Sequence, residues 1–204
     1  AVIELLRRKD FMDQVVITFT LREGLLWSDG KPMTADDSIY SYTLAADNAT
    51  PGSKFLIDRT QTYEAADEQT VQWWGMPGYI DPDYYINFWM PLPQHAWGEM
   101  EAADLLRAEV SSKLPLGWGA YILDEWVPGE SIHLVKNLNY FRAEEGLPNF
   151  DELTFLIMKD SNAALTALTD GTCDVIDPSV RLDGQVGLLQ TMQEENQAQL
   201  LVAQ

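Results

Sequence analysis

Cysteine is almost missing from this chain: Cys173 stands alone among 204 residues, so no intramolecular disulfide can form. Histidine is nearly as scarce. One Cys and two distant His, His95 and His133, do not build a zinc site of the usual kind. Positive charge is sparse too, 13 Lys and Arg against 32 Asp and Glu, a net charge of −19. Such a surface repels a nucleic acid backbone and an anionic membrane, which excludes nucleic-acid binding. No apolar run approaches the roughly 18–20 residues of a membrane span, and the first residues lack signal-peptide anatomy. What remains is an ordinary globular balance, 46% apolar and 22% charged, in a chain long enough for one large or two small domains.

Patterning places the elements. Val15 to Leu21 alternates as a strand, with Val15, Ile17, Phe19 and Leu21 on one face. Trp27-Ser-Asp-Gly30 reads as a turn. Thr34-Ala-Asp-Asp37 is a capping box that opens a helix to about Ala46, whose inward stripe is expected at Ile39, Tyr42, Thr43 and Ala46. Thr60–Ala66 and Thr70–Trp74 form a hairpin, and Tyr121–Val127 with Ser131–Lys136 a second about Pro128-Gly129. A short helix is expected over Met100–Val110. Leu153–Met158, a helix over Asn162–Thr169 and a strand Asp174-Val-Ile176 read as a β-α-β unit, hence a partly parallel sheet. A helix over Leu182–Glu195 and a strand Leu200–Ala203 complete the order.

Paired acids such as Asp36-Asp37, Asp81-Pro-Asp83 and Asp124-Glu125 could serve a glycosidase, but 32 acids in 204 residues make neighbours by chance. They read as solvated surface and helix caps. No G-x-S-x-G, P-loop or G-x-G-x-x-G is present, and His95 reads as a hydrogen-bonded turn residue. Seven tryptophans are the unusual feature, since rings stack on sugars or enclose peptide side chains. Trp27 and Trp126 read as core. Trp73 and Trp74 point to opposite faces of one strand, and Trp118 lies between Gly117 and Gly119, where the backbone can bend sharply.

Three segments, in order, carry a resemblance. Leu21-Arg-Glu-Gly24, Trp27-Ser-Asp-Gly-Lys-Pro32 and Thr34-Ala-Asp-Asp37 form the first. Leu116-Gly-Trp-Gly-Ala-Tyr121, Glu125-Trp126, Pro128-Gly-Glu-Ser131 and Asn137-Leu-Asn-Tyr-Phe141 form the second, and Pro148 to Asp177 the third. Together they resemble the family 5 extracellular solute-binding proteins of ABC importers, the oligopeptide-, dipeptide- and nickel-binding receptors. The resemblance implies an α/β fold, part of a type II periplasmic-binding-protein-like clamshell. A mixed α+β accessory domain of the first lobe is expected over 1–115, part of that lobe's main sheet over 116–178, and a segment leading to the hinge over 179–204. The first strands of the lobe and the whole second lobe are expected to be absent.

By the same resemblance the expected function is an extracytoplasmic receptor, periplasmic or anchored outside the cell. It would capture a peptide-like solute, or alternatively an oligosaccharide, by lobe closure and deliver it to an ABC permease, with no cofactor, metal or catalysis. Trp89, Trp118, Phe55 and Asn87 are the expected ligand-lining residues, from the loop after the capped helix, the segment 86–90 and the glycine-flanked motif. Trp118 stands where the family has a small Thr or Ser, and Ala120 where Pro is common. An exposed sheet edge at Leu153–Met158 and Asp174–Ile176 implies self-association, or a fold-back of Leu200–Ala203.

Overall fold

The computed structural model describes residues 2–6, 12–80 and 82–195. Two compact units divide the chain: Ala1–Trp126 with His133–Thr154, and Val127–Ile132 with Phe155–Gln204.

In the first unit, β1 (Val2–Leu6) and β2 (Gln14–Thr20) pair antiparallel, and the helix α1 (Ala35–Ala46) follows. The hairpin of β3 (Thr60–Asp67) and β4 (Thr70–Gly75) completes a four-stranded sheet in the order β1-β2-β4-β3. β4 sits centrally, with Ile17 opposite Trp73 and Tyr63 on its other side. That register gathers Val15, Ile17, Tyr63, Val71 and Trp73 into one core with Ala35 of α1, and Phe19, Ile39, Tyr42, Phe88 and Trp89 close around it. Burial of these side chains is the main stabilising term for the unit. Trp73 and Trp74 do point to opposite faces. Trp73 is fully enclosed, and its Nε1–H donates to Thr60 Oγ1 at 2.8 Å.

The inward face of α1 keeps Ile39 and Tyr42 of the expected stripe, which pack on the core, but not Thr43. Thr43 is exposed and returns its hydroxyl to the Tyr40 carbonyl at 2.7 Å. Ala35, Asp37, Ser38, Tyr40 and Ser41 are the buried residues. Ser38 and Ser41 face inward because their hydroxyls reach carbonyls of the segment that follows β4, which an apolar periodicity does not register.

Beyond it, α2 (Gln94–Trp97), α3 (Ala102–Leu105) and α4 (Glu109–Ser112) are single turns, and the helix expected over Met100–Val110 is thereby split. The Leu105 carbonyl accepts from Ala108 N–H and from Ser111 Oγ, so it does not continue a helical ladder. Tyr40, Trp97 and Leu105 form a second small core.

Strands β5 (Tyr121–Val127), β6 (Ser131–Lys136) and β7 (Glu152–Leu156) form a three-stranded sheet in that order. Gly129 turns the β5–β6 hairpin at φ 80°, where a side chain would be strained. Lys136 N–H donates to Asp151 O and Ile157 N–H to Glu130 O, which runs β7 antiparallel to β6. The expected β-α-β unit is corrected here. Helix α5 (Ser161–Thr169) forms, with Asp160 accepting from Ala163 N–H at 2.9 Å, but residues 174–176 make no strand. A strand needs a neighbour to satisfy its backbone, and Val175 is 79% exposed. Among the described residues of the second unit, the buried ones are Ala164, Leu165 and Ala167 of α5 and Met192 of α6 (Val186–Glu194). Leu200–Ala203 lies outside the described residues. Among the described residues no helix is long and apolar enough to cross a membrane.

Candidate functional site

Asp37 organises the surroundings of the expected site. At the third position of α1 its carboxylate accepts Thr34 N–H at 3.0 Å, one half of the capping box, and Trp27 Nε1–H at 3.1 Å. The other oxygen accepts Gln94 N–H at 3.0 Å, while the Asp37 carbonyl accepts Leu92 N–H. One buried acid thus joins the Trp27 turn, the start of α1 and the start of α2.

The chain between β4 and α2 is fastened to the same helix. Ser38 Oγ donates to Trp89 O and Ser41 Oγ to Met90 O, and Trp89 N–H donates to the Tyr63 hydroxyl at 3.1 Å. Burial holds the Tyr63 phenol above its ordinary pKa, only partly offset by the Ser38 hydroxyl and the Trp89 amide. The Trp89 ring stands edge-on to Tyr42 and Tyr63, with centroids 4.8 and 4.7 Å away, and is half-buried. Asn87 is fully enclosed, its Nδ2 donating to Tyr84 O at 3.3 Å.

Phe55 lies after α1, where Lys54 Nζ donates to the carbonyls of Ala45, Asp47 and Thr50 and so closes the helix end. Its ring is 50% exposed, with the Arg59 guanidinium 3.5 Å over its centroid. Trp118 is half-buried in a loop held from two directions. Ser28 N–H donates to Gly117 O at 2.8 Å, Asn137 Nδ2 to Gly119 O at 2.8 Å, and Asn137 N–H to Ala120 O at 2.9 Å. Neither flanking glycine has a positive φ, and a Cβ on either meets nothing within 4 Å. The chain does bend at Gly119 and Ala120 as expected, without a left-handed φ at either glycine, and hydrogen bonds hold the loop. All four expected residues lie in the first unit.

Two other features stand near. His95 Nε2 is 2.9 Å from Asp29 Oδ2, the hydrogen-bonded role expected of it. Burial pushes the Asp29 carboxyl up, but the Lys31 amide and His95 outweigh it and hold the pKa below its ordinary value. A groove of about 410 Å³ runs along Ser41, Leu44, Leu92, Trp97, Leu105 and Ser111. Its Ser41 and Ser111 hydroxyls already donate to backbone carbonyls, so neither has a hydrogen to offer a ligand. Among the described residues no group of three metal-ligating side chains comes together.

Residues 9–199 match the bacterial extracellular solute-binding proteins, family 5 Middle. The chain belongs to that family. This family 5 chain is 33% identical over 161 residues to the oligopeptide-binding protein AppA of Bacillus subtilis, covering 74% of its own length and 28% of AppA's. Its fold superimposes on AppA in complex with a nonapeptide at a TM-score of 0.65 and 26% identity, covering 83% of this chain and 33% of that one. A periplasmic EDTA-binding protein, EppA, matches at a TM-score of 0.72 and 25% identity over 95% of this chain and 36% of its own. The family 5 chain thus has a mixed α/β fold equivalent to about a third of each solved structure.

Sequence patterning placed Tyr42 on the inward face of α1 but did not single out Tyr63 or Arg59. The signal for Arg59 was present, four residues after Phe55 in a turn, but an exposed Arg in a loop resembles any other until its stacking partner is located.

Proposed function

We propose that this chain is the part of a peptide receptor that supplies one wall of its ligand site, with residues 1–115 as the accessory domain of the first lobe, 116–178 in that lobe's main sheet and 179–204 leading toward a hinge. The receptor works outside the cytoplasm and hands its solute to an ABC permease without chemical change. The family match over residues 9–199 carries this reading, supported by the similarity to an oligopeptide-binding relative. Phe55 and Trp118 supply the ring surface for ligand side chains. Trp89 supports that wall from the aromatic core, and Asn87 acts through the segment it anchors.

The proposed site is one side of an enclosure, and the chain spans under a third of AppA's length. Ligand pockets bury most of a ligand's surface. The 204-residue chain alone is therefore expected to bind peptides no tighter than about millimolar, roughly −4 kcal/mol. A receptor at the full length of its relatives is expected to bind peptides well below that, and Trp118→Ala to weaken it about tenfold, or ~1.4 kcal/mol. Calorimetry with peptide and oligosaccharide panels tests both statements. Tight binding of oligosaccharides alone would replace the peptide reading by a sugar receptor, and tight binding by the isolated chain would remove the two-walled site.

A further inference from the structure

Basic groups are few here, and those that pair with acids do so on the surface: Lys113 with Glu109, Lys136 with Asp151 and Arg142 with Glu145. Arg59 is different. Its guanidinium lies 3.5 Å over the centroid of Phe55 and 5.3 Å from that of Tyr79, and no described carboxylate pairs with it. One hydrogen bond, Nη1–H to the Phe55 carbonyl at 3.1 Å, fixes the orientation of the plane. The backbone beneath is also held, with Arg59 N–H on Leu56 O and Arg59 O accepting Met76 N–H. Tyr79 packs against the main core, so the stack is joined to the rigid sheet.

A guanidinium stacked on a ring has its face occupied and its remaining N–H groups in the plane, pointing outward. That edge matches the geometry of a carboxylate, and its fixed position lowers the ordering cost of using it. One face of Phe55 is covered by Arg59, and the half-exposed ring leaves surface for a second contact. The charge of the chain does not oppose this at contact. A net −19 repels an anion at long range, but screening confines this to about 8 Å at physiological salt, so a local unpaired cation decides at contact.

We propose that Arg59 is a carboxylate-reading residue: the edge of its guanidinium takes a ligand carboxylate while the open surface of Phe55 takes an adjoining apolar group. The inference rests on the reading that Phe55 lines the ligand surface, and it names the ligand class as one with a carboxylate beside an apolar side chain, at a peptide's carboxyl end or on an acidic residue.

The 204-residue chain titrated with N-benzoylglycine and with N-benzoylglycinamide, followed through the Arg59 Nε–H resonance, tests it. The acid is expected to shift that resonance saturably at millimolar concentration and the amide to be about tenfold weaker, the size of one lost charge-assisted contact. Arg59→Gln should erase the difference between the two probes, and Arg59→Lys should keep part of it, since the charge survives without the fork. Equal effects of acid and amide, no shift at Arg59, or an undiminished preference in Arg59→Gln would overturn the inference. If Arg59→Gln does not fold, the wild-type comparison of acid and amide decides. Peptide binding by the complete receptor is not needed for this result, so failure of the peptide panels refutes the proposed function separately. In that receptor, amidated carboxyl ends and Glu→Gln peptides distinguish the two carboxylate sources.

Discussion

Replacing Asp37 by alanine removes the acceptor of three N–H groups at once: Trp27 Nε1, Thr34 N and Gln94 N, at 3.0–3.1 Å. Asp37 is 4% exposed and Trp27 1%, so water does not reach the indole N–H, while the two amides lie in partly buried positions. A buried donor left without a partner costs about 1–3 kcal/mol, more where the lost acceptor was charged. Taking the upper part of that range for Trp27 and the lower part for the two amides gives a loss of about 4 kcal/mol, a large share of a typical domain's stability. Asp37→Asn preserves the shape and one oxygen but sets an NH₂ against a donor whichever way the amide turns, for a loss of about 2 kcal/mol. Urea unfolding at neutral pH, followed by far-ultraviolet circular dichroism, measures both. A loss below about 1 kcal/mol for Asp37→Ala, or equal losses for the two variants, would show that the carboxylate is not the joint between Trp27, α1 and α2.

His133 of β6 lies between Asp124 of β5, 3.1 Å from Nδ1, and Glu152 of β7, 3.6 Å from Nε2. The hydrogen bond to Asp124, aided by Glu152 and opposed by burial, raises its pKa above the ordinary histidine value. Its contribution is therefore fully present below the unfolded pKa and is lost as pH rises through the folded one, so His133→Gln should remove a decline in melting temperature as pH rises above the ordinary histidine value. An NMR titration placing His133 at or below an ordinary histidine would contradict this. Gly75→Ala should cost about 2 kcal/mol by overpacking, because the new Cβ would stand 2.5 Å from the Trp73 ring, which is fully buried and cannot retreat. Full stability of that variant in urea would mean the ring has room to move. The outer edge of β7, with Phe155 49% and Leu156 39% exposed, should make the chain self-associate, and Phe155→Lys should suppress this. Sedimentation showing a monomer at every concentration would refute the pairing.

Local chemistry was legible in the sequence wherever a few neighbouring residues suffice. The Thr34–Asp37 capping box, the turns at Gly30 and Gly129 and the shared core face of Val15, Ile17 and Phe19 follow from backbone sterics and side-chain spacing, and the structure has them where they were expected, although Val16 on the other face is buried as well. The opposed faces of Trp73 and Trp74 follow from the same period of two. Partners distant in the chain were not legible. Ser38 and Ser41 look like surface residues until residues 89 and 90 are laid across α1. The run 100–110 looks like one helix until the Ser111 hydroxyl claims a carbonyl from its ladder. Residues 174–176 have a strand's composition but no neighbour to complete their hydrogen bonds, so composition alone could not decide. The segments that carry the family were already readable as ordered motifs, since each is a local turn, cap or hairpin. Whether Phe55 is a bare ring or half of a cation–π stack with Arg59 depends on a turn closing over four residues against Tyr79 and the sheet. Spacing permits that arrangement; only packing selects it.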